Sequence, residues 1–372
     1  MNVVILYSGK FPGPSPGAKR IGYYKRGLEA EGIETLIQSV NLRGKGRIAY
    51  EIDKLLLPFR AMVAFFKVRK QYKVLFIYGF NWLGYILLAL IGKISGTKVY
   101  LEMNEKLGSI YGNRITELGI VKLLHISFHR FSYRFLDGFI VISSALETYL
   151  KPYTDKGAQL IIVPIIIDTE RQGLGIVAPV THPYLLHAGA LSNRKDGIGE
   201  VMDAFAIASK NCNESLHMYF TSKIAPKDLW QKIKQVITDN DLQDRVHFLG
   251  DVAESDLLAY QKHCRMLIIN KHVNEQNLHN FPTKLGEYLV LERPVITTGI
   301  GELGKYLKDG ENAFIVPLHN IQAMAEKIIY VLDHPKESAI VGSRGKETAS
   351  LYFDYLVQGK RLAKFFKENN VR

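Results

Sequence analysis

The segment 184–205, "YLLHAGALSNRKDGIGEVMDAF", decides the reading of this chain. Its first residues form a short apolar run, the mark of a strand buried on both faces. Gly189 and a polar stretch end that run. Ile198, Val201 and Phe205 then recur at helical spacing, so an amphipathic helix is expected over about 197–210. Strand, glycine-containing loop and helix together are the repeating step of a parallel α/β sheet. Arg194 and Lys195 stand at the helix entry. A lysine there can meet a diphosphate, because free N–H groups and the helix dipole favour an anion at that end. The plainer alternative is a solvated basic pair on a loop.

The same alternation continues in both directions. Upstream, Val3–Tyr7 reads as a buried strand. Helices follow at about 16–31, 51–70, 82–94 and 117–135, with the strands "TLIQSV", "VLFIYG", "KVYLEM", "GFIVIS" and "QLIIVP" between or after them. Downstream, helices at 226–240, 254–263, 283–291 and 320–333 alternate with further strands, and 336–370 reads as helical. The pattern pauses at 168–183, "DTERQGLGIVAPVTHP", which reads as a linker. The expected fold is therefore α/β, with two Rossmann-like parallel-sheet domains over 1–178 and 179–351. Ligands of such sheets bind outside the carboxyl ends of the strands.

Charge is divided unevenly. Residues 1–180 hold 24 Lys and Arg against 13 Asp and Glu, and residues 181–372 hold 24 against 23. The excess in the first half points to an anionic partner. Within it, 55–73 sets Phe59, Met62, Val63 and Phe66 on one helical face, with Arg60, Lys67, Arg69, Lys70 and Lys73 around it. This reads either as a core helix with a basic C-terminus or as a contact with an anionic membrane surface. The longest apolar run is too short for a spanning helix. Two cysteines and no visible targeting segment fit a cytoplasmic protein, peripheral on the inner face of the cell membrane. No nucleic-acid motif is recognised, so no nucleic-acid partner is expected.

Three further stretches carry candidate chemistry. After the first strand, "SGKFPGPSPG" offers Ser15 as an N-cap, Pro16 at the first helical position, and Gly13 and Gly17 for close backbone approach. Lys19 and Arg20 lie nearby, and this loop has no G-x-G-x-x-G, which argues against a Rossmann oxidoreductase. In "HNFPTKLGEYLVLERPV", 279–295, Thr283 is a candidate N-cap. Lys284 falls in the first turn, where a cation opposes the dipole unless an anion is also present. Glu287, one turn on, could accept two hydroxyl protons, as a ribose offers. At 102–113, Glu102, Asn104 and Glu105 lie at a strand's carboxyl end. Metal and nucleophile signatures are weak.

Taken together, these segments resemble the GT-B-fold glycosyltransferases of family 4, the retaining glycosyl transferases group 1. The resemblance is strongest in 183–317. It is carried by the opening segment, "DRVHFLGDVAESDLLAYQKHCRMLII", "FPTKLGEYLVLERPVITT" and "LKDGENAFIVP". "SPGAKRIGYYKRGLEAEG" and "FLDGFIVISSALETYL" carry it more loosely in the first half.

The resemblance implies a retaining, metal-independent transferase. It would move a sugar from a nucleotide-sugar, UDP-sugar favoured, to a glycan or lipid-linked acceptor in bacterial surface polysaccharide assembly. It implies Lys195, with Arg194, on the diphosphate. Pro282, Thr283, Lys284 and Leu285 would form the helix start facing the phosphates, with Glu287 on the ribose. Phe248, Leu249 and Gly250 would lie near the base, and Gly17 and Ala18 in the loop facing the diphosphate and acceptor. It also implies a last helix, 352–372, completing the first domain. His279 stands where the family has a carboxylate facing the donor sugar, and Asn104 or Glu105 where it often has a histidine. No cofactor or metal is expected. The alternative is a non-catalytic GT-B relative acting as a partner subunit.

Overall fold

The computed structural model describes residues 1–42, 46–109, 119–170, 176–222 and 226–369. The chain divides into two compact units. The first takes Met1–Ile167, His279–Phe281 and Phe353–Arg372, and the second takes Asp168–Leu278 and Pro282–Tyr352. The division between Ile167 and Asp168 falls ahead of the expected 178/179 boundary.

The first unit alternates β1 (Val3–Tyr7), α1 (Pro16–Ala30), β2 (Thr35–Ser39), α2 (Arg47–Val68), β3 (Val74–Tyr78), α3 (Trp82–Ser95) and β4 (Lys98–Met103). It continues with α4 (Gly119–Ser132), β5 (Gly138–Val141), α5 (Ser144–Leu150) and β6 (Gln159–Ile162). The strands form one parallel sheet in the order β2-β1-β3-β4-β5-β6. The chain reverses its direction across the sheet between β1 and β3, which opens a crevice at their carboxyl ends. The expected helix start at 117 and the last part of the 102–113 stretch lie outside the described residues.

The second unit opens with β7 (Tyr184–His187), α6 (Asn193–Asp196), α7 (Ile198–Asn211), β8 (His217–Phe220), α8 (Lys227–Asp239) and β9 (Val246–Phe248). It goes on through α9 (Glu254–His263), β10 (Met266–Ile269), α10 (Glu275–His279), α11 (Thr283–Leu289), β11 (Val295–Thr298), β12 (Phe314–Val316), α12 (Ile321–Asp333) and α13 (Pro335–Tyr352). Its parallel sheet runs β12-β11-β10-β7-β8-β9, so the reversal falls between β7 and β10. β7 and β10 are buried along their whole length, as their apolar runs require.

Several elements differ from expectation. The helix expected over 197–210 is α7, but a further short helix, α6, precedes it, and the two are parted by Gly197, whose φ of +50 is left-handed. A Cβ on Gly197 would lie 2.3 Å from both Asn270 Nδ2 and His272 Nε2, so glycine lets the turn press against the end of β10. The polar loop expected before Phe281 contains α10. Thr283 is the first residue of α11, and Pro282 takes the cap position with no side-chain hydrogen bond closing it. The expected helix 336–370 is α13 followed by α14 (Tyr355–Asn369). α14 belongs to the first unit and packs on α1 through two glycines. A Cβ on Gly359 would stand 2.4 Å from the Gly27 backbone, so the two helices touch main chain to main chain.

Candidate functional site

In the second unit the β7/β10 crevice collects charge. Ser192 caps α6 by accepting a hydrogen bond from the Lys195 N–H at 3.0 Å. The Lys195 carbonyl accepts from Asn277 Nδ2 at 2.8 Å, which ties the turn to α10. Asp196 is buried and paired with Lys271, itself buried at the exit of β10. Burial pushes the Asp196 carboxyl up, but Lys284 and Lys271 outweigh it and hold the group below its ordinary range.

Lys284 reaches the same place from the first turn of α11. Its Nζ lies 3.3 Å from His187 Nε2, at the end of β7. His187 Nδ1 faces the Ile268 carbonyl at 3.2 Å, so Nδ1 carries the proton and Nε2 accepts from Lys284. Burial first and Lys284 second push His187 down to about 3, so it stays neutral. Burial also pushes Lys284 down to about 8, opposed by Asp196 and reinforced by Lys271 and Lys195. Gly189, with φ +100, leaves room for this lysine: a Cβ there would sit 2.8 Å from Lys284 Cε. The Tyr288 hydroxyl accepts from the Ala188 N–H at 2.8 Å and fixes α11 to the exit of β7. Glu287 is half-buried one turn beyond Lys284 and acts on it electrostatically. Lys271 and Lys284 thus act on one buried carboxylate, and Lys195 acts on both lysines, at the crevice where such a sheet binds ligands. That arrangement suits a polyanion with a hydroxyl-bearing group beyond it.

In the first unit the β1/β3 crevice is lined by hydroxyls. Ser15 Oγ caps α1 by accepting from the Ala18 N–H at 3.2 Å and lies 3.1 Å from the Tyr7 hydroxyl. Asn104 Nδ2 donates to the Tyr78 hydroxyl at 2.8 Å. Gly17 packs beside the tyrosines that line this crevice. A Cβ there would lie 3.0 Å from the Tyr7 hydroxyl and 3.2 Å from the Tyr78 ring.

Other expectations are redirected. Arg20, expected near an anion, is buried and paired with Glu102, and it donates to the Pro164 and Val163 carbonyls at 2.6 and 2.8 Å. Glu102 is therefore a core partner rather than a group presented at the strand end. His279 clusters with the first unit, where its carbonyl accepts from Ser143 Oγ at 2.5 Å and its ring stands edge-on to Tyr149. Phe248 stacks on Phe220 and abuts Trp230, so its ring is occupied in the core, while Leu249 and half-buried Gly250 continue the chain past β9. Arg194 is exposed, Leu285 is buried and Glu105 is half-buried. Arg60, expected at a membrane, pairs with Asp53 at 2.5 Å.

Lys271, Asp196 and His187 escaped the sequence reading. Their signal was position: each falls in or just after a buried strand or the following turn. Three motif spacings are also present in the sequence. Gly13-Pro14-Ser15-Pro16-Gly17 has nucleophile-turn spacing, but Ser15 serves as the cap. Gly299–Gly304, "GIGELG", has dinucleotide spacing, yet it leads into a short 3-10 turn after β11, away from the reversal between β7 and β10. His125 and His129 lie four apart on α4, and burial pushes His129 down to about 3 against the Tyr85 ring.

Residues 182–334 match the family model described as Glycosyl transferases group 1. Anabaena HepE, solved with UDP, has a TM-score of 0.66 at 17% identity over 99% of this chain and 100% of that one. Sucrose-phosphate synthase from Thermosynechococcus elongatus gives 0.70 at 16%, over 99% of each chain. The fold is GT-B. The lipopolysaccharide outer core galactosyltransferase WaaB shares this GT-B fold at a TM-score of 0.66, with 13% identity over 99% of this chain and 100% of that one. A curated relative, an uncharacterized glycosyltransferase of Methanocaldococcus jannaschii, is 24% identical over 134 residues. That match covers 36% of this chain and 36% of the relative.

Proposed function

We propose that this chain is a retaining glycosyltransferase that takes a nucleotide-sugar, preferably a UDP-sugar, and passes the sugar to a glycan or lipid-linked acceptor. The observation that carries this reading is the gathering of Lys271 and Lys284 on Asp196 at the β7/β10 crevice, with Lys195 close enough to act on both lysines and Glu287 one turn on. Sugar transfer develops negative charge on the leaving diphosphate. Cations held in a partly desolvated site stabilise that charge more than water does. Glu287 is placed to accept from ribose hydroxyls beyond the phosphates. The lysines supply this stabilisation themselves, so the proposed reaction needs no metal. HepE, solved with UDP and with UDP-glucose, supports UDP as the first nucleotide to test, and WaaB supports a surface-polysaccharide role.

Titration calorimetry with UDP, GDP and ADP, followed by turnover with their sugar derivatives, tests the reading. Glu287→Ala should weaken UDP binding about tenfold or more, the loss of a charge-assisted hydrogen bond of ~1.5–3 kcal/mol. No binding of any nucleotide would sink the proposal. Binding without turnover of any donor would leave the partner-subunit alternative.

The proposed membrane contact is supported by α2. Ile48, Ile52, Leu55, Phe59, Val63 and Phe66 are exposed along one stripe, and Lys67, Lys70 and Lys73 are exposed at its end. Arg69 lies over the Phe66 ring. Among the described residues, no helix is long and apolar enough to cross a membrane.

A further inference from the structure

The second unit holds a ligand set that the lysine cluster does not use. Glu200, in the first turn of α7, faces two imidazoles. His319 Nδ1 is hydrogen-bonded to Glu200 Oε1 at 2.8 Å, and His272 Nε2 lies 2.9 Å from Glu200 Oε2 without a hydrogen bond. The two rings are 4.7 Å apart. One ligand atom from each residue falls within 4.8 Å of the others.

The His272 contact is unusual. Its Nε2 is buried and has no hydrogen-bond partner, although the carboxylate oxygen is 2.9 Å away. The in-plane axis of that nitrogen therefore passes beside the oxygen rather than through it. Two donors facing a common ion sit this way, since their lone pairs meet at the ion and not at each other. With metal–nitrogen distances of about 2.0–2.1 Å, tetrahedral ligands stand about 3.3 Å apart, so Glu200 at 2.8 and 2.9 Å from the two imidazoles would open by a few tenths of an ångström around an ion. Asn270 Nδ2 donates to Glu200 Oε2 at 3.1 Å and to the Gly197 carbonyl at 3.1 Å, which orients the carboxylate from behind. Burial pushes the Glu200 carboxyl up, but His319, Asn270 and His272 outweigh it and keep it ionised. His319 holds a left-handed φ of +56, a costly backbone state for a non-glycine residue.

We propose that Glu200, His272 and His319 bind one divalent transition-metal ion of the zinc class. Two imidazoles and a carboxylate suit Zn²⁺ far better than Mg²⁺ or Ca²⁺, which prefer oxygen ligands. The ion would tie the first turn of α7 to the exit of β10 and to the segment leading into α12. A second histidine group, His182, His217 and His247, serves as the internal contrast. There, unlike at His272 Nε2, the nitrogens satisfy one another or a hydroxyl: His217 to His247 at 2.9 Å, and His182 to Tyr219 at 2.8 Å. The His182 and His217 rings are stacked at 3.7 Å, so their lone pairs run side by side.

The full chain, stripped with a chelator and titrated with ZnCl₂, should bind one zinc by calorimetry and by elemental analysis after desalting. Zinc should raise the melting temperature, and excess MgCl₂ should not compete. Glu200→Gln and His272→Ala should each weaken zinc at least tenfold and abolish the thermal shift. His319→Ala, at an exposed position, gives the same readout where the two half-buried variants fold poorly. His217→Ala should leave zinc binding unchanged. Absence of zinc binding, binding indifferent to the His319 variant in the folded chain, or loss of binding in His217→Ala overturns the assignment. UDP affinity, measured in parallel, tests the transferase reading separately, because none of these three residues belongs to the lysine cluster.

Discussion

Lys284 carries a clear pH consequence. Its folded value of about 8 lies below the ordinary lysine value of 10.5 because burial disfavours the charge. Between those values the unfolded chain holds a proton that the folded chain has released, so this group makes stability rise with pH across that window. A bound diphosphate reverses the preference and draws the proton back. UDP affinity should therefore fall above pH 8, approaching about tenfold per pH unit, with proton uptake on binding. Calorimetry in buffers of different ionisation enthalpy measures this directly. A flat affinity from pH 7 to 10 would remove Lys284 from the anion site. The positions of Lys195, Lys284 and Glu287 were legible in the sequence because each sits at a helix entry beside a strand end. Lys271 and Asp196 were not. They are 75 residues apart, and only the pairing of β7 with β10 brings them together.

At the scale of elements, helix spacing identified apolar faces without saying where they point. The apolar face named on α2 turns away from the core, and its neighbours Ala61 and Phe65 take the core side. Ala61 and Phe65 are fully buried, while Phe59, Val63 and Phe66 face outward. α14 shows the opposite case, where backbone contact replaces side-chain packing. Gly359→Ala should destabilise the first unit by about 1–3 kcal/mol, because its Cβ would meet the Gly27 backbone at 2.4 Å and main chain cannot give way. Urea denaturation followed by the signal of the first unit checks it. An unchanged midpoint would mean that α14 can shift on α1 without loss. The G-x-G-x-x-G and G-x-S-x-G spacings teach the same lesson: glycine spacing recurs wherever chain packs closely. At Gly301 a Cβ would stand 2.9 Å from the Asn277 carbonyl, a packing reason for glycine that involves no ligand.

For the whole molecule, the excess positive charge of the first 180 residues and the exposed stripe of α2 lie in the same unit. Binding to anionic liposomes should weaken as salt rises from low to about 0.5 M, since the Debye length shortens. Neutralising Lys67, Lys70 and Lys73 together should weaken it about tenfold or more, at roughly 1 kcal/mol per charge. Salt-independent binding, or none, would end the membrane reading. The sequence alone determined the alternation of buried strands and helices, the division into two α/β units and the helix entries that carry Lys195 and Lys284. Those signals are local: apolar runs, helical spacing and turn residues lie within a few positions of one another. The tertiary structure alone decided that Asp196 pairs with Lys271, that Arg20 and Glu102 belong to the core, and that His279 clusters with the first unit. Those outcomes depend on which distant segments the sheets align, and a side chain's charge takes its meaning from the partners found there.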